Sequence, residues 1–154
     1  MKNIILFQGD ILLRTSIILI GALLLPLIAQ AAVNSPLDTV KQMYEIGKKL
    51  EKGTEIIEMY SDPSLSYAFR TIPKDEVCIG ADIMWNSQDP VFSKAITFQP
   101  LANNQVKVHL AKAKYDDATT LIYKFNCTTG QCKVADVIDI DGQSLKKLLK
   151  SCSR

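Results

Sequence analysis

The sequence predicts an α+β fold, in which N-terminal helices pack on a curved antiparallel sheet of about four strands and a short C-terminal helix follows. Three observations predict this fold. Apolar side chains recur at helical spacing between residues 37 and 69, alternate with polar ones between 95 and 140, and return to helical spacing after 144. Such a separation of helical and strand periods is typical of one domain whose helices and strands form separate layers.

The front of the chain has the pattern of an export signal. Residues 15–28 are almost unbroken apolar sequence, basic residues precede them, and Ala29-Gln30-Ala31 has the small-x-small pattern of a signal-peptidase site. A run of 14 residues is too short to cross a bilayer comfortably as a permanent helix. We therefore expect a signal peptide at 1–31 and a single domain at 32–154, located in the periplasm or secreted; an uncleaved anchor is the alternative.

The charge of the chain is nearly balanced. It contains 18 Lys and Arg against 16 Asp and Glu, a formal net charge of +2. Because nucleic-acid and anionic-membrane binding favour strongly basic chains, we expect no nucleic-acid partner and no membrane association after signal cleavage. The sequence contains no phosphate loop or nucleophile elbow, and we expect no cofactor.

The helical part begins with a strong start signal. Ser35 is followed by a proline and, three positions on, by an acid, which is the pattern of a helix cap. We expect Gly53 to end this helix, Thr54 to cap a second short helix, and Asp62-Pro63 to start a third. The apolar positions of the first helix form one stripe that should face the core: Leu37, Val40, Met43, Tyr44, Ile46 and Leu50.

Residues 78–92 follow no clean period and contain the only Trp. Irregular loops on a rigid scaffold often carry binding residues, and an aromatic anchor rimmed by hydrogen-bonding groups is typical of a tight interface. A partner-binding site is therefore predicted at Asp82, Trp85, Asn86, Gln88 and Asp89. The structural alternative is that Asp82 and Asp89 cap turns and that Trp85 fills the core.

The strand part starts with a short segment at 95–98 and an alternating segment at 105–113, joined by a turn at Asn103-Asn104. His109 falls on the polar side of its strand and is expected at the surface. A terminal hairpin follows, with strands at 119–125 and 133–140. The return strand is expected to be central in the sheet because both of its faces are half apolar, with Val134, Asp136, Ile138 and Ile140 together on one face.

The four cysteines predict two disulfides. Cys127 and Cys132 flank the short hairpin loop and should approach each other across the ladder, which leaves Cys78 to pair with Cys152. An exported chain lies where thiols oxidise. The alternative is a zinc site, in which the hairpin cysteines supply two thiolates and other cysteines or the only histidine supply the rest.

The chain ends in a short helix. Asp141 is expected to cap it, and Leu145, Leu148 and Leu149 share one face. The lysines near its end are favourably placed at the negative end of the helix dipole.

Short motifs along the chain resemble a bacterial envelope family related to the lipoprotein YbjP. They are Leu37-Asp38-Thr39-Val40-Lys41-Gln42-Met43-Tyr44, Gly80-Ala81-Asp82, Asn86-Ser87-Gln88-Asp89, Val134-Ala135-Asp136-Val137 and Gln143-Ser144-Leu145-Lys146. The chain departs from that family in lacking a lipobox cysteine and a Trp near the last strand. The element order resembles the cystatin-like or nuclear-transport-factor-two-like fold, which implies a cone-shaped sheet with a pocket. Small exported proteins of this kind include immunity proteins, which neutralise toxins from neighbouring bacteria.

Three functions follow from these patterns. The first is an enzyme, but its candidate groups (Tyr44, Tyr60, Tyr67, Asp82, Asp136) show no catalytic spacing, so no activity is predicted. The second, which we favour, is an interaction protein, most sharply an immunity protein that binds and blocks a toxic secreted effector. The third is a small-molecule-binding module. A large apolar cavity would favour the third function, and a filled core with protruding loops would count against it.

Overall fold

The computed structural model describes residues 34–73 and 77–153. The predicted signal peptide and the anchor alternative concern residues outside this part. The elements are the helices α1 (Pro36–Leu50), α2 (Thr54–Tyr60), α3 (Pro63–Arg70) and α4 (Leu145–Cys152) and the strands β1 (Ile96–Leu101), β2 (Gln105–Leu110), β3 (Thr119–Thr128) and β4 (Gln131–Ile138). The predicted α+β class, with its terminal helix, is confirmed. None of the described helices is long and apolar enough to span a membrane.

Local capping chemistry starts α1 and α3 where the sequence places them. The Ser35 hydroxyl accepts a hydrogen bond from the Asp38 N–H at 3.1 Å, and the Asp62 carboxylate accepts one from the Leu65 N–H at 2.8 Å. The end of α1 was predicted wrongly. Glu51, with φ 53°, is the left-handed residue that ends it, whereas Gly53 is the cap position of α2. A side chain at Gly53 would collide with the Asp82 carboxylate, so close approach explains this glycine.

The sheet is antiparallel with strand order β1-β2-β3-β4. The central position expected for the return strand is therefore wrong, because β4 is an edge strand. The prediction assumed unbroken alternation along this strand, but a bulge at Ala135 interrupts it. Phe125 pairs with Val134 and Lys124 with Asp136, which leaves Ala135 unpaired between them. Val134 and Val137 are consequently both buried.

The outer edge of β4 is partly closed by the junction of α2 and α3. The Asp62 N–H donates to the Val134 carbonyl at 2.7 Å, and Ser61 forms an isolated parallel bridge with Val134. At the other edge, β1 contains Pro100, which has no N–H to offer. The first hairpin turns through Asn103 and Asn104, as the sequence predicted, and both residues lie in the left-handed region.

One core fills the space between the helices and the sheet. Helix α1 contacts all four strands. Tyr44 of α1 lies edge-on to Phe98 and Tyr123 of the sheet, with ring centroids 5.6 and 6.1 Å apart. The largest fully buried side chains are Trp85, Tyr44, Tyr123, Met43, Ile56, Ile57, Leu65, Met84, Leu110, Leu121, Leu149 and Val40.

Both predicted disulfides are present. Cys127 pairs with Cys132 across the β3–β4 hairpin, with Cα atoms 4.1 Å apart. Cys78 pairs with Cys152 at the end of α4, with Cα atoms 5.9 Å apart. Because the four sulfurs form two disulfide bonds, no cysteine is left as a thiolate ligand for the zinc alternative.

The terminal helix is capped by Ser144 rather than by the predicted Asp141. The Ser144 hydroxyl accepts from the Lys147 N–H at 3.1 Å and donates to the Asp136 carboxylate at 2.7 Å. The Asp139 carboxylate accepts from the N–H groups of Asp141 and Gln143, and this turn delays the helix start. Of the expected leucine face, Leu145 and Leu149 are buried, and Leu148 is 40% exposed.

A buried ion pair joins the two long connections of the strand part. Lys94 is fully buried, and its Nζ lies 2.6 Å from Asp116 Oδ2. The same ammonium donates to the Asp117 carbonyl at 3.1 Å. Because a buried charge is tolerated only when it is paired and hydrogen-bonded, this pair fixes the loop before β3 against the segment before β1.

Candidate functional site

A cleft of about 170 Å³ lies between residues 79–86 of the middle loop and residues 139–148 at the C-terminal end. Its walls and floor are mainly apolar, with polar groups among them. The lining residues are Ile79, Gly80, Ala81, Asp82, Ile83, Asn86, Leu121, Val137, Asp139, Gln143, Ser144, Leu145 and Leu148. Two of the five residues predicted to bind a partner, Asp82 and Asn86, therefore meet at this cleft.

Asp82 organises the loop wall of the cleft. One carboxylate oxygen accepts from the Thr54 N–H at 3.0 Å, and the other accepts from the Trp85 N–H at 3.0 Å. In return, the Thr54 hydroxyl accepts from the Ile83 N–H at 3.1 Å. Asp82 thus caps α2 from a distant loop and closes the loop's own turn, which supports the capping alternative for this residue.

Burial raises the pKa of the Asp82 carboxyl above its usual value, although the N–H groups of Thr54, Trp85 and Met84 act to lower it. The direction shows that desolvation outweighs these hydrogen bonds. Because both oxygens already have donors, Asp82 is poorly placed to bind a ligand directly.

Trp85 does not provide an exposed anchor; that part of the site prediction is wrong. Its side chain is fully buried and lies edge-on to Tyr44 and Phe92, with ring centroids 5.4 and 5.2 Å apart. The indole N–H donates to the Lys52 carbonyl at 3.4 Å. The turn at Asp82 directs Trp85 inward, so this residue fills the core, as the structural alternative predicted.

The other three predicted residues are exposed. Asn86, with φ 51°, donates to the Thr119 hydroxyl at 3.1 Å and lines the cleft. Gln88 and Asp89 lie further along the loop and do not line it. No side-chain cap by Asp89 is present among the described hydrogen bonds, so partner binding by Asn86, Gln88 and Asp89 stays a prediction.

Two tyrosines behind the loop hold it to the core. The Tyr44 hydroxyl donates to the Met84 carbonyl at 2.8 Å, and the two phenol oxygens of Tyr44 and Tyr123 lie 3.1 Å apart. Since the Tyr44 proton is directed at the carbonyl, Tyr123 donates to Tyr44. Burial raises the pKa of both phenols well above the usual value, so both stay neutral.

The C-terminal wall of the cleft was missed by sequence reasoning. Gln143, Leu145 and Leu148 supply it. The sequence places Leu145 and Leu148 on the apolar face of the last helix, but the spacing does not show that Leu148 is partly exposed. The Cys78–Cys152 disulfide joins the two walls, because Cys78 precedes Ile79 and Cys152 ends α4. A covalent bond therefore links the start of the loop wall to the end of the helix that forms the other wall.

A second depression, of about 390 Å³, lies between residues 35–37 and the β1–β2 hairpin. Its lining includes Pro36, Leu37, Pro100 and Leu101, without a charged side chain. It adjoins the first described residues, and we infer no site from it.

Comparison of the chain with protein-family models, with curated proteins and with solved structures gives no match. The assignment of function therefore depends on the geometry alone.

Proposed function

We propose that this protein is an exported, non-enzymatic interaction protein of the periplasm, and most sharply an immunity protein that binds and blocks a toxic secreted effector. The observation that carries the proposal is the filled core. Tyr44, Trp85 and Tyr123 occupy the space between helix and sheet where a ligand pocket of this architecture would open. The cleft at the loop, about 170 Å³, is smaller than the roughly 300–1,000 Å³ typical of small-molecule sites. The depression of about 390 Å³ beside the β1–β2 hairpin falls within that range but has no charged side chain to orient a ligand.

The size and lining of the cleft suit a single side chain from a partner protein. An apolar cavity of about 150 Å³ holds one benzene molecule, and the cleft is comparable in volume. Tight protein interfaces concentrate their binding energy where one aromatic or aliphatic anchor enters such a pocket. The exposed residues Asn86, Gln88 and Asp89 would then form part of the polar rim.

Binding also fits the way that three of the five candidate catalytic groups are used. Tyr44 and Asp82 are committed to the hydrogen bonds described above, and Asp136 accepts from Ser144 and from the Lys146 N–H. Blocking an effector requires a rigid surface and no reactive group. The two disulfides supply that rigidity and indicate an oxidising compartment, which supports export.

The test is capture of a partner by the oxidised protein spanning 32–154, with a pair of matched variants. Leu148→Glu places a charge in the cleft, and Met59→Glu places the same charge at an exposed apolar position of α2 that does not line the cleft. We expect one stoichiometric protein partner with the wild type and with Met59→Glu, and its loss with Leu148→Glu. Co-expression with the captured protein should protect cells only when the cleft is intact.

Equal capture by both variants would remove the cleft from the proposal. A small-molecule-binding module is the second candidate, favoured by the apolar lining of the cleft with polar groups beside it. If no protein is captured while a small molecule raises the Tm of the wild type and not that of Leu148→Glu, this second function replaces the first.

A further inference from the structure

The sheet has a second face, and no helix among the described residues covers it. The buried apolar side chains of α1, α2, α3 and α4 belong to one core with Val106, Val108 and Leu121 of the helix-facing side. Residues that alternate with these point the other way, away from the helices. On β2 and β3 they are Gln105, Lys107, His109, Thr120, Ile122, Lys124 and Asn126. We call this surface the open sheet face.

The open sheet face carries an excess of lysines. Lys107 and Lys124 lie on neighbouring strands of it. In the part of the chain that the structure describes, neither lysine has a carboxylate within ion-pair distance. Asp136, opposite Lys124 in the register, accepts from Ser144 and from two backbone N–H groups rather than from the lysine. Its negative charge is offset by Lys133 of β4, which the register places on the same face.

The β3–β4 side of the face carries an apolar pair. Ile122 and Ile138 are directly opposite each other on β3 and β4, and both are half-buried. Lys107 is the neighbour of Ile122 on the other side. Apolar side chains beside charged groups are the combination that protein–protein interfaces use. An anionic polymer would bind through the cationic side chains alone and would not use the isoleucine pair. The isoleucine pair therefore favours a protein as the occupant.

We propose that the open sheet face is a docking surface for the acidic surface of a partner protein. The charge complementarity comes from Lys107 and Lys124, and the isoleucine pair supplies the apolar contact. This surface is distinct from the cleft. Leu121 and Val137, which line the cleft, alternate with Ile122 and Ile138 and point to the helix side, so a partner on the open sheet face would leave the cleft accessible.

The experiment is an NMR titration of the oxidised protein with a synthetic peptide of alternating glutamate and leucine, which presents acids beside apolar side chains. We expect shift changes concentrated at Lys107, Ile122 and Lys124, with affinity that falls as salt rises. Reversal of both lysines, in Lys107→Glu with Lys124→Glu, should weaken binding by about tenfold. The matched control reverses two exposed lysines of α1, Lys41→Glu with Lys49→Glu, and should leave it unchanged.

The apolar contact is tested with Ile122→Thr, which keeps a β-branched side chain in the strand. Weaker peptide binding in this variant supports a protein partner. Equal weakening by the control lysine pair, or shift changes spread over the whole surface, would overturn the proposal. So would binding of a sulfated polysaccharide that matches the peptide in affinity and ignores Ile122→Thr, because it would indicate an anionic polymer. Loss of partner capture by Leu148→Glu bears only on the cleft, so failures of the two proposals are distinguishable.

Discussion

Asp82→Ala tests whether the middle loop is held by one carboxylate. The substitution removes the acceptor of two backbone N–H groups, those of Thr54 and Trp85. Loss of a helix cap costs about 0.5–2 kcal/mol, and an N–H left without a partner costs about 1–3 kcal/mol when it is fully buried. Because the loop is only partly buried and water can reach it, we take the lower part of both ranges. The expected loss in the free energy of unfolding is about 1.5–2.5 kcal/mol.

The same carboxylate should leave a signature in the pH dependence of stability. Burial raises its pKa in the folded state above the usual value near 3.8, so the folded protein holds this proton more tightly than the unfolded chain. Stability from this group is therefore greatest below the unfolded pKa, and it falls as the pH rises from about 3.8 through the raised pKa. We expect the wild type to lose stability over this window relative to Asp82→Ala, and the difference to be constant at higher pH.

The assay is equilibrium unfolding in urea, followed by Trp85 fluorescence and by far-ultraviolet circular dichroism. Asp141→Ala is the matched control, because Asp141 is exposed and no described hydrogen bond uses its carboxylate. It should change stability by less than about 0.5 kcal/mol. If Asp82→Ala were as stable as this control, the loop would not depend on Asp82 and our account of it would be wrong.

Three further predictions concern the core, the long disulfide and the buried ion pair. Trp85→Ala should lose about 3–5 kcal/mol because it empties a fully buried site, and Trp85→Phe should lose less; both are measured by urea unfolding. Replacing Cys78 and Cys152 together by serine should lower stability by about 4.5 kcal/mol on the loop-entropy account, for a sequence separation of 74, and reductant should then remove only about 2 kcal/mol more, by opening the short Cys127–Cys132 loop. Lys94→Met should cost about 3–5 kcal/mol because it leaves Asp116 buried without its partner, whereas a double replacement of both charges by apolar residues should recover most of the loss.

Each of these has a result that would contradict it. If Trp85→Ala were as stable as the wild type, Trp85 would not fill the core, and its interpretation as an exposed anchor would stand. A serine double variant as stable as the oxidised wild type would mean that the disulfide does not restrain the unfolded chain. A Lys94→Met variant that the second replacement fails to rescue would show that packing around Lys94, and not its charge, determines the loss.

The parts of the fold that local chemistry determines were predicted from the sequence. Ser35 and Asp62 cap helices with their own side chains, the asparagine pair turns the first hairpin, and alternation places β2 and β3. The misplaced elements depend on contacts between distant residues. The bulge at Ala135 is visible only in the pairing of β4 with β3, and it shifts every later side chain of the strand to the other face.

The candidate site also depends on contacts between distant residues, which the sequence does not reveal. An isolated tryptophan among polar residues has the composition of a binding loop, and nothing local reveals that Asp82 reaches across to α2 and turns Trp85 inward. The cleft wall from α4 comes from the other end of the chain. The hydrophobic spacing of that helix predicted a buried face, but the partial exposure of Leu148 follows from which elements pack beside it.

The closed edge of β4 and the proline in β1 bear on how the protein behaves at high concentration. An open strand edge offers free backbone groups on which another chain can assemble, and this is a route to aggregation and fibre growth. Here the Asp62 N–H already occupies the Val134 carbonyl, and Pro100 cannot donate to an added strand. Neither edge of the sheet therefore presents an unbroken row of partners, and the sheet is protected against extension by a second molecule.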